Sequence, residues 1–158
     1  MSDVNEDFSD FVAALKRNDV EFVIVGAFAL AFLGFPRATG DIDFWIRPTE
    51  GNAEAVLRAL KDFGFESLGI TKEDILSGKV IQMGYPPVRI DLLTSLSGVT
   101  SKEIWDKRQE GPFGKHVVFY LDRDTFLKNK RATDRSKDKI DVELFEKPAK
   151  PRAKRGQR

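Results

Sequence analysis

The sequence predicts a mixed α/β (α+β) domain, a mixed β-sheet flanked by helices. Two observations carry this. Short apolar runs at residues 21–25, 41–46, 79–85, 88–94 and 116–121 read as strands, and helical patterns fall between them. Strands and helices mixed in this order suit a sheet covered by helices. The length, 158 residues, suits one domain with its own core.

Phe8, Phe11, Val12 and Leu15 recur at helical spacing, which predicts an amphipathic helix ending near Asn18 and Asp19. Residues 21–25 form a buried strand that Gly26 breaks. Residues 27–33, rich in Ala and Leu, suit a short helix stopped by Gly34 and Pro36. Residues 41–46 alternate and read as a second strand. Ala53, Val56, Leu57, Leu60 and Phe63 mark a further helix face, with Gly64 as its cap. A short helix is expected over 71–77, followed by two strands meeting at Pro86 and Pro87. Residues 101–108 read as helical, 116–121 as a strand, and 122–133 and 136–145 as two last helices.

The composition narrows the function classes. There is no cysteine, so disulfides, thiolate zinc sites and a Cys nucleophile are excluded. No apolar run approaches the roughly 20 residues of a membrane-spanning helix. The first seven residues are acidic and lack the layout of a signal peptide, so a soluble cytoplasmic protein is expected. The net charge of +1 hides an asymmetry: every charged residue after Glu146 is positive. The domain is expected over 1–146, with 147–158 a disordered basic tail that either solubilises the chain or touches a polyanion.

Three acids carry the candidate chemistry. Asp41 and Asp43 are two apart on one strand and so share a face, while Ile42, Phe44 and Ile46 point to the other. Adjacent carboxylates repel, and a divalent ion such as Mg²⁺ or Mn²⁺ relieves them. The bland alternative is two solvated acids at a strand start. Asp91 lies within an apolar strand, where an acid is costly unless paired or metal-bound. Its alternative is an ion pair with Arg89 or another base. Three carboxylates together hold two ions about 4 Å apart and support an in-line phosphoryl displacement.

Gly26 ends a strand and opens a helix, so free backbone N–H groups there suit a triphosphate; an ordinary glycine bend is the alternative. Arg37 either forks onto a phosphate or sits on the surface. Thr39 caps or braces the turn through its hydroxyl. His116, Trp45 and Trp105 read as structural.

The order Val25-Gly26-Ala27, then Asp41-Ile42-Asp43, then Arg89-Ile90-Asp91-Leu92 resembles the DNA polymerase beta-like nucleotidyltransferase superfamily. The string from Gly34 to Asp43 looks like its minimal bacterial members. The segment from Lys130 and Arg131 to Asp138 and Asp141 is similar to the C-terminal signature of the AbiEii-like toxin group.

The resemblance implies a nucleotidyltransferase-type sheet and transfer of an NMP from an NTP to an acceptor hydroxyl or phosphate. The acceptor would be a tRNA, a protein or a small molecule. Asp41, Asp43 and Asp91 would hold the metal, Asp91 would help deprotonate the acceptor, and Lys130 would contact the triphosphate. Gly26, Ala27, Arg37 and Thr39 complete the expected nucleotide site. Ala27 departs from the Gly or Ser of that family: it lacks a hydroxyl but keeps its N–H. The alternative is a non-catalytic binding or regulatory module, working with a partner protein in a toxin–antitoxin-like pair.

Overall fold

The structure, a computed structural model, describes residues 5–36, 39–85 and 88–133. The expected helix at 136–145, the tail, the Pro86-Pro87 turn and Arg37 lie outside the described residues. The order of elements is α1 (Glu6–Arg17), β1 (Phe22–Val25), α2 (Gly26–Phe32), β2 (Asp41–Ile46), α3 (Glu50–Phe63), α4 (Lys72–Leu76), β3 (Ile81–Tyr85), β4 (Val88–Leu93), α5 (Ser101–Asp106), β5 (Gln109–Phe113), β6 (His116–Tyr120) and α6 (Arg123–Arg131). A single 3₁₀ turn, Glu66–Leu68, separates α3 from α4. Among the described residues no helix is long and apolar enough to cross a membrane.

Local chemistry sets the helix ends. The Asn5 side-chain oxygen Oδ1 accepts from the Asp7 and Phe8 amides at the start of α1. Acids occupy its first turn and Lys16 and Arg17 its last, as the helix dipole favours. Thr71 with Asp74, and Thr100 with Glu103, form reciprocal capping boxes that start α4 and α5. Helix α3 ends on Gly64, whose φ of 100° lies in the left-handed region that a side chain disfavours.

The six strands form one sheet in the order β3-β4-β2-β1-β6-β5. Pairs β1–β2, β3–β4 and β5–β6 are antiparallel; β2–β4 and β1–β6 are parallel. Strand residues alternate faces, so one face carries Phe22, Ile24, Ile42, Phe44 and Ile46. Phe44 meets Phe11 of α1 at 5.3 Å between ring centres, and Phe11 meets Phe63 of α3 edge-on. This is the main core, and its members are almost wholly buried. The opposite face carries Asp41, Asp43 and Trp45. Trp45 packs on Trp105 of α5, and its Nε1 donates to the Thr94 carbonyl. Helix α6 is tied to the loop after β4 by Asn129, whose Nδ2 donates to the Ser97 carbonyl at 2.9 Å.

Asn52 joins α3 to the sheet. It is buried, its amide nitrogen donates to the Glu21 and Arg47 carbonyls, and its oxygen accepts from the Glu21 amide at 2.7 Å. Replacing Asn52 with Ala leaves the Glu21 amide without its partner, while the Glu21 and Arg47 carbonyls keep the Arg47 and Thr49 amides. The expected loss is about 1–3 kcal/mol in urea denaturation, the cost of stranding one buried amide. A loss below about 0.5 kcal/mol would show that water replaces the amide without penalty.

Candidate metal and nucleotide site

Strand β2 runs parallel to β4 with Asp43 opposite Asp91 and Asp41 opposite Arg89. Opposed residues on neighbouring strands share a face and stand about 5 Å apart at Cβ. The four side chains therefore form a two-by-two patch at the start of β2. The sequence separates its members widely, and only the parallel pairing of β2 with β4 brings them together.

Arg89 is the cation of this patch. Its Nε donates to Asp91 Oδ1 at 3.2 Å and its Nη2 to Oδ2 at 3.0 Å, so the guanidinium forks onto both oxygens. The same Nη2 lies 3.4 Å from Asp41 Oδ2. Asp91 is buried, with 5% of its surface exposed. The ion-pair alternative for Asp91 is thus present in the structure. It does not exclude metal binding, but it determines what a metal meets.

Asp43 has no such fork. Burial, then the charge of Asp91 and a hydrogen bond with it, then the charge of Asp41, push its pKa from the usual 3.8 up to about 7; Lys130 opposes them. Near neutral pH the patch is therefore short of positive charge, and a shared proton makes up part of the deficit. As the side chains stand, no three acidic groups among the described residues are arranged to hold a metal. Both Asp91 oxygens are already engaged by Arg89.

Gly26 lies directly under Asp43. Val25 pairs with Asp43 across β1 and β2, and the next residue turns with φ of 68° into α2. A Cβ at Gly26 would run into the Asp43 carboxyl. Two constraints thus act on one residue: a left-handed backbone and no room for a side chain. Ala27 is the next residue of α2, whose first turn has no side-chain cap. Thr39 braces the turn: its hydroxyl accepts from the Asp41 amide at 3.1 Å and reaches the Asp41 carbonyl at 3.3 Å.

Lys130, near the end of α6, is half-buried, with Nζ 5.5 Å from the centre of the Phe126 ring and its charge felt at Asp43. The structure therefore brings Gly26, Asp41, Asp43, Asp91 and Lys130 to one region.

No family model matches the chain, and a search of curated proteins finds no match.

Sequence reasoning weighed Arg89 only as a partner of Asp91 and did not see its reach to Asp41. It also passed over Gln82, which pairs with Asp91 from β3 and so shares the acidic face. Only the strand register could have found either. His116 lies elsewhere, at the start of β6; burial, then Lys115 and Lys16, hold its pKa below the usual value. A groove of about 430 Å³ lined by Phe22, Trp105 and Phe119 opens at the other end of β1, and Asp41, Asp43 and Asp91 do not line it.

Proposed function

We propose that the protein is a metal-dependent nucleotidyltransferase, moving an NMP from an NTP to an acceptor hydroxyl or phosphate. The observation that carries this is the patch itself: three carboxylates on two parallel strands, beside a glycine turn and a lysine. The resemblance to the DNA polymerase beta-like superfamily, with its minimal bacterial and AbiEii-like toxin branches, supports the same reading.

The donor set fits a hard divalent ion. Carboxylate oxygens suit Mg²⁺ or Mn²⁺, and Asp43 is buried beside the charges of Asp91 and Asp41, which raise its pKa. Asp41, Asp43 and Asp91 would hold the ion, which when bound supplies charge neutralisation for the triphosphate. The chain's own groups do the rest. The acceptor oxygen bonds to the α-phosphorus as the bond to the bridging oxygen breaks, and pyrophosphate leaves. Asp91 takes the acceptor proton. Lys130, with the backbone N–H groups at Gly26 and Ala27, binds phosphate oxygens, aided by Arg37. Thr39 holds the approach to β2. The rate comes mostly from positioning and electrostatics.

The acceptor class is RNA such as tRNA, a protein or a small molecule, and the expected compartment is the cytoplasm. The test is incubation with each labelled NTP, Mg²⁺ and cell extract. Label is expected on one acceptor class; no transfer with any NTP, in Mg²⁺ or in Mn²⁺, overturns the reading. Lys130→Ala is expected to weaken NTP binding by about 1–3 kcal/mol, the range for a charge-assisted hydrogen bond. An unchanged dissociation constant by calorimetry removes Lys130 from the site.

A second reading is a non-catalytic binding or regulatory module of the same fold, paired with a partner protein in a toxin–antitoxin-like manner. One observation favours it: Arg89 already supplies a cation to two of the three acids.

A further inference from the structure

We infer that Arg89 is the resident counter-cation of the acid patch, and that a divalent ion loads by exchange, displacing its guanidinium from Asp41 and Asp91. The inference rests on the nucleotidyltransferase reading and adds to it a residue that sets metal affinity.

A metal ion on Asp91 or Asp41 competes for oxygens that Arg89 already engages. The fork engages Oδ1 and Oδ2 of Asp91, and the same nitrogen reaches Asp41. Arginine cannot give up its proton at any pH the protein survives, so it cannot yield the acids by titrating. Two cations beside the same carboxylates also repel each other. Moving the guanidinium aside relieves both the competition and the repulsion.

The surroundings leave it room. Arg89 has 30% of its side chain exposed, so its charge need not cross the core. Its neighbours across the sheet are Asp41 on one side and Gly84 on the other. The side-chain hydrogen bonds and ion pairs of Arg89 go to Asp91 and Asp41, both proposed metal ligands.

Exchange makes opposite demands on Arg89 in the two states. In metal-free protein it screens the three acids from one another and stabilises the fold. During loading it competes. The test is a calorimetric titration of the full chain with MnCl₂ at neutral pH, with melting temperature recorded with and without the metal. Arg89→Gln is expected to melt lower than wild type without metal and to gain more from Mn²⁺. It is also expected to bind Mn²⁺ at least about tenfold more tightly, the factor equivalent to one lost charge-assisted hydrogen bond. Arg89→Lys, which keeps the charge without the fork, is expected to fall between them and decides the matter if Arg89→Gln does not fold.

Equal or weaker Mn²⁺ binding in the substituted protein, with wild type still binding, overturns the exchange and leaves the nucleotidyltransferase reading intact. No Mn²⁺ binding by either protein, or binding that survives Asp43→Asn unchanged, overturns both.

Discussion

Asp43→Asn is expected to abolish nucleotidyl transfer while making the metal-free protein more stable at neutral and alkaline pH. The folded state holds the Asp43 proton up to about pH 7, whereas the unfolded chain releases it near 3.8. Below pH 3.8 both states are protonated and the group has no effect. As pH rises from about 4 to 7 the unfolded state gains by ionising and the folded state does not, so stability falls across that window. Burial raises the folded value most, Asp91 and then Asp41 raise it further, and Lys130 lowers it. The full penalty above pH 7 is roughly 2–4 kcal/mol, allowing for the water that still reaches this partly buried group. Asn keeps the shape and cannot ionise. Urea denaturation in EDTA at pH 5 and pH 8 is expected to show the variant's advantage growing with pH. An advantage that does not change with pH would mean that Asp43 ionises freely. Near-normal turnover in the variant would remove Asp43 from the metal site.

Gly26→Ala is expected to destabilise the protein by about 2–5 kcal/mol, combining left-handed backbone strain with overpacking. The new methyl would meet the Asp43 carboxyl, and the backbone φ of 68° would be strained even without that collision. The two contributions separate in a double-mutant cycle. In an Asp43→Ala background the collision disappears and only the backbone cost remains, so Gly26→Ala should be milder there by at least about 1 kcal/mol. Additive losses would show that the carboxyl simply moves aside. Backbone conformation and packing thus meet at this turn: the residue that allows α2 to start also makes room for an acid.

Most of the elements were legible because each carries its own local signal. Phe8, Phe11, Val12 and Leu15 announce α1, and Gly64 announces the end of α3. Strand β5 was not foreseen. Gln109-Glu110-Gly111-Pro112-Phe113 has no alternation, and its Gly and Pro look like loop residues. Pro112 is tolerated because β5 is an edge strand. Gly111 is there for packing: a Cβ would strike the Phe32 ring, which stacks on Tyr120. Such a reason is tertiary and leaves no mark on the neighbouring sequence.

The site was legible in its acids and not in its wiring. Asp41, Asp43 and Asp91 stand out as charges in apolar strands. That Asp43 faces Asp91 depends on the parallel register of β2 and β4, which no local pattern encodes. Asn52 is similar: one amide in the first turn of a helix gives no hint that it bonds two other segments.

The placing of β1 has a consequence for how the chain folds. It lies inside the sheet with β2 on one side and β6 on the other, and Ile24 pairs with Tyr120. The pairing with β2 closes a short loop, whereas the pairing with β6 must bring together the two ends of the described chain. Closing the longer loop has the greater entropic cost and yields contacts only late. During synthesis, β1 to β4 are therefore available to assemble the acid patch before the other side of β1 has a partner. Until β6 arrives, β1 presents an apolar, unpaired edge, the kind of surface on which newly made chains associate wrongly. Weakening β6 should accordingly slow refolding and raise aggregation more than it disturbs the geometry of the acids.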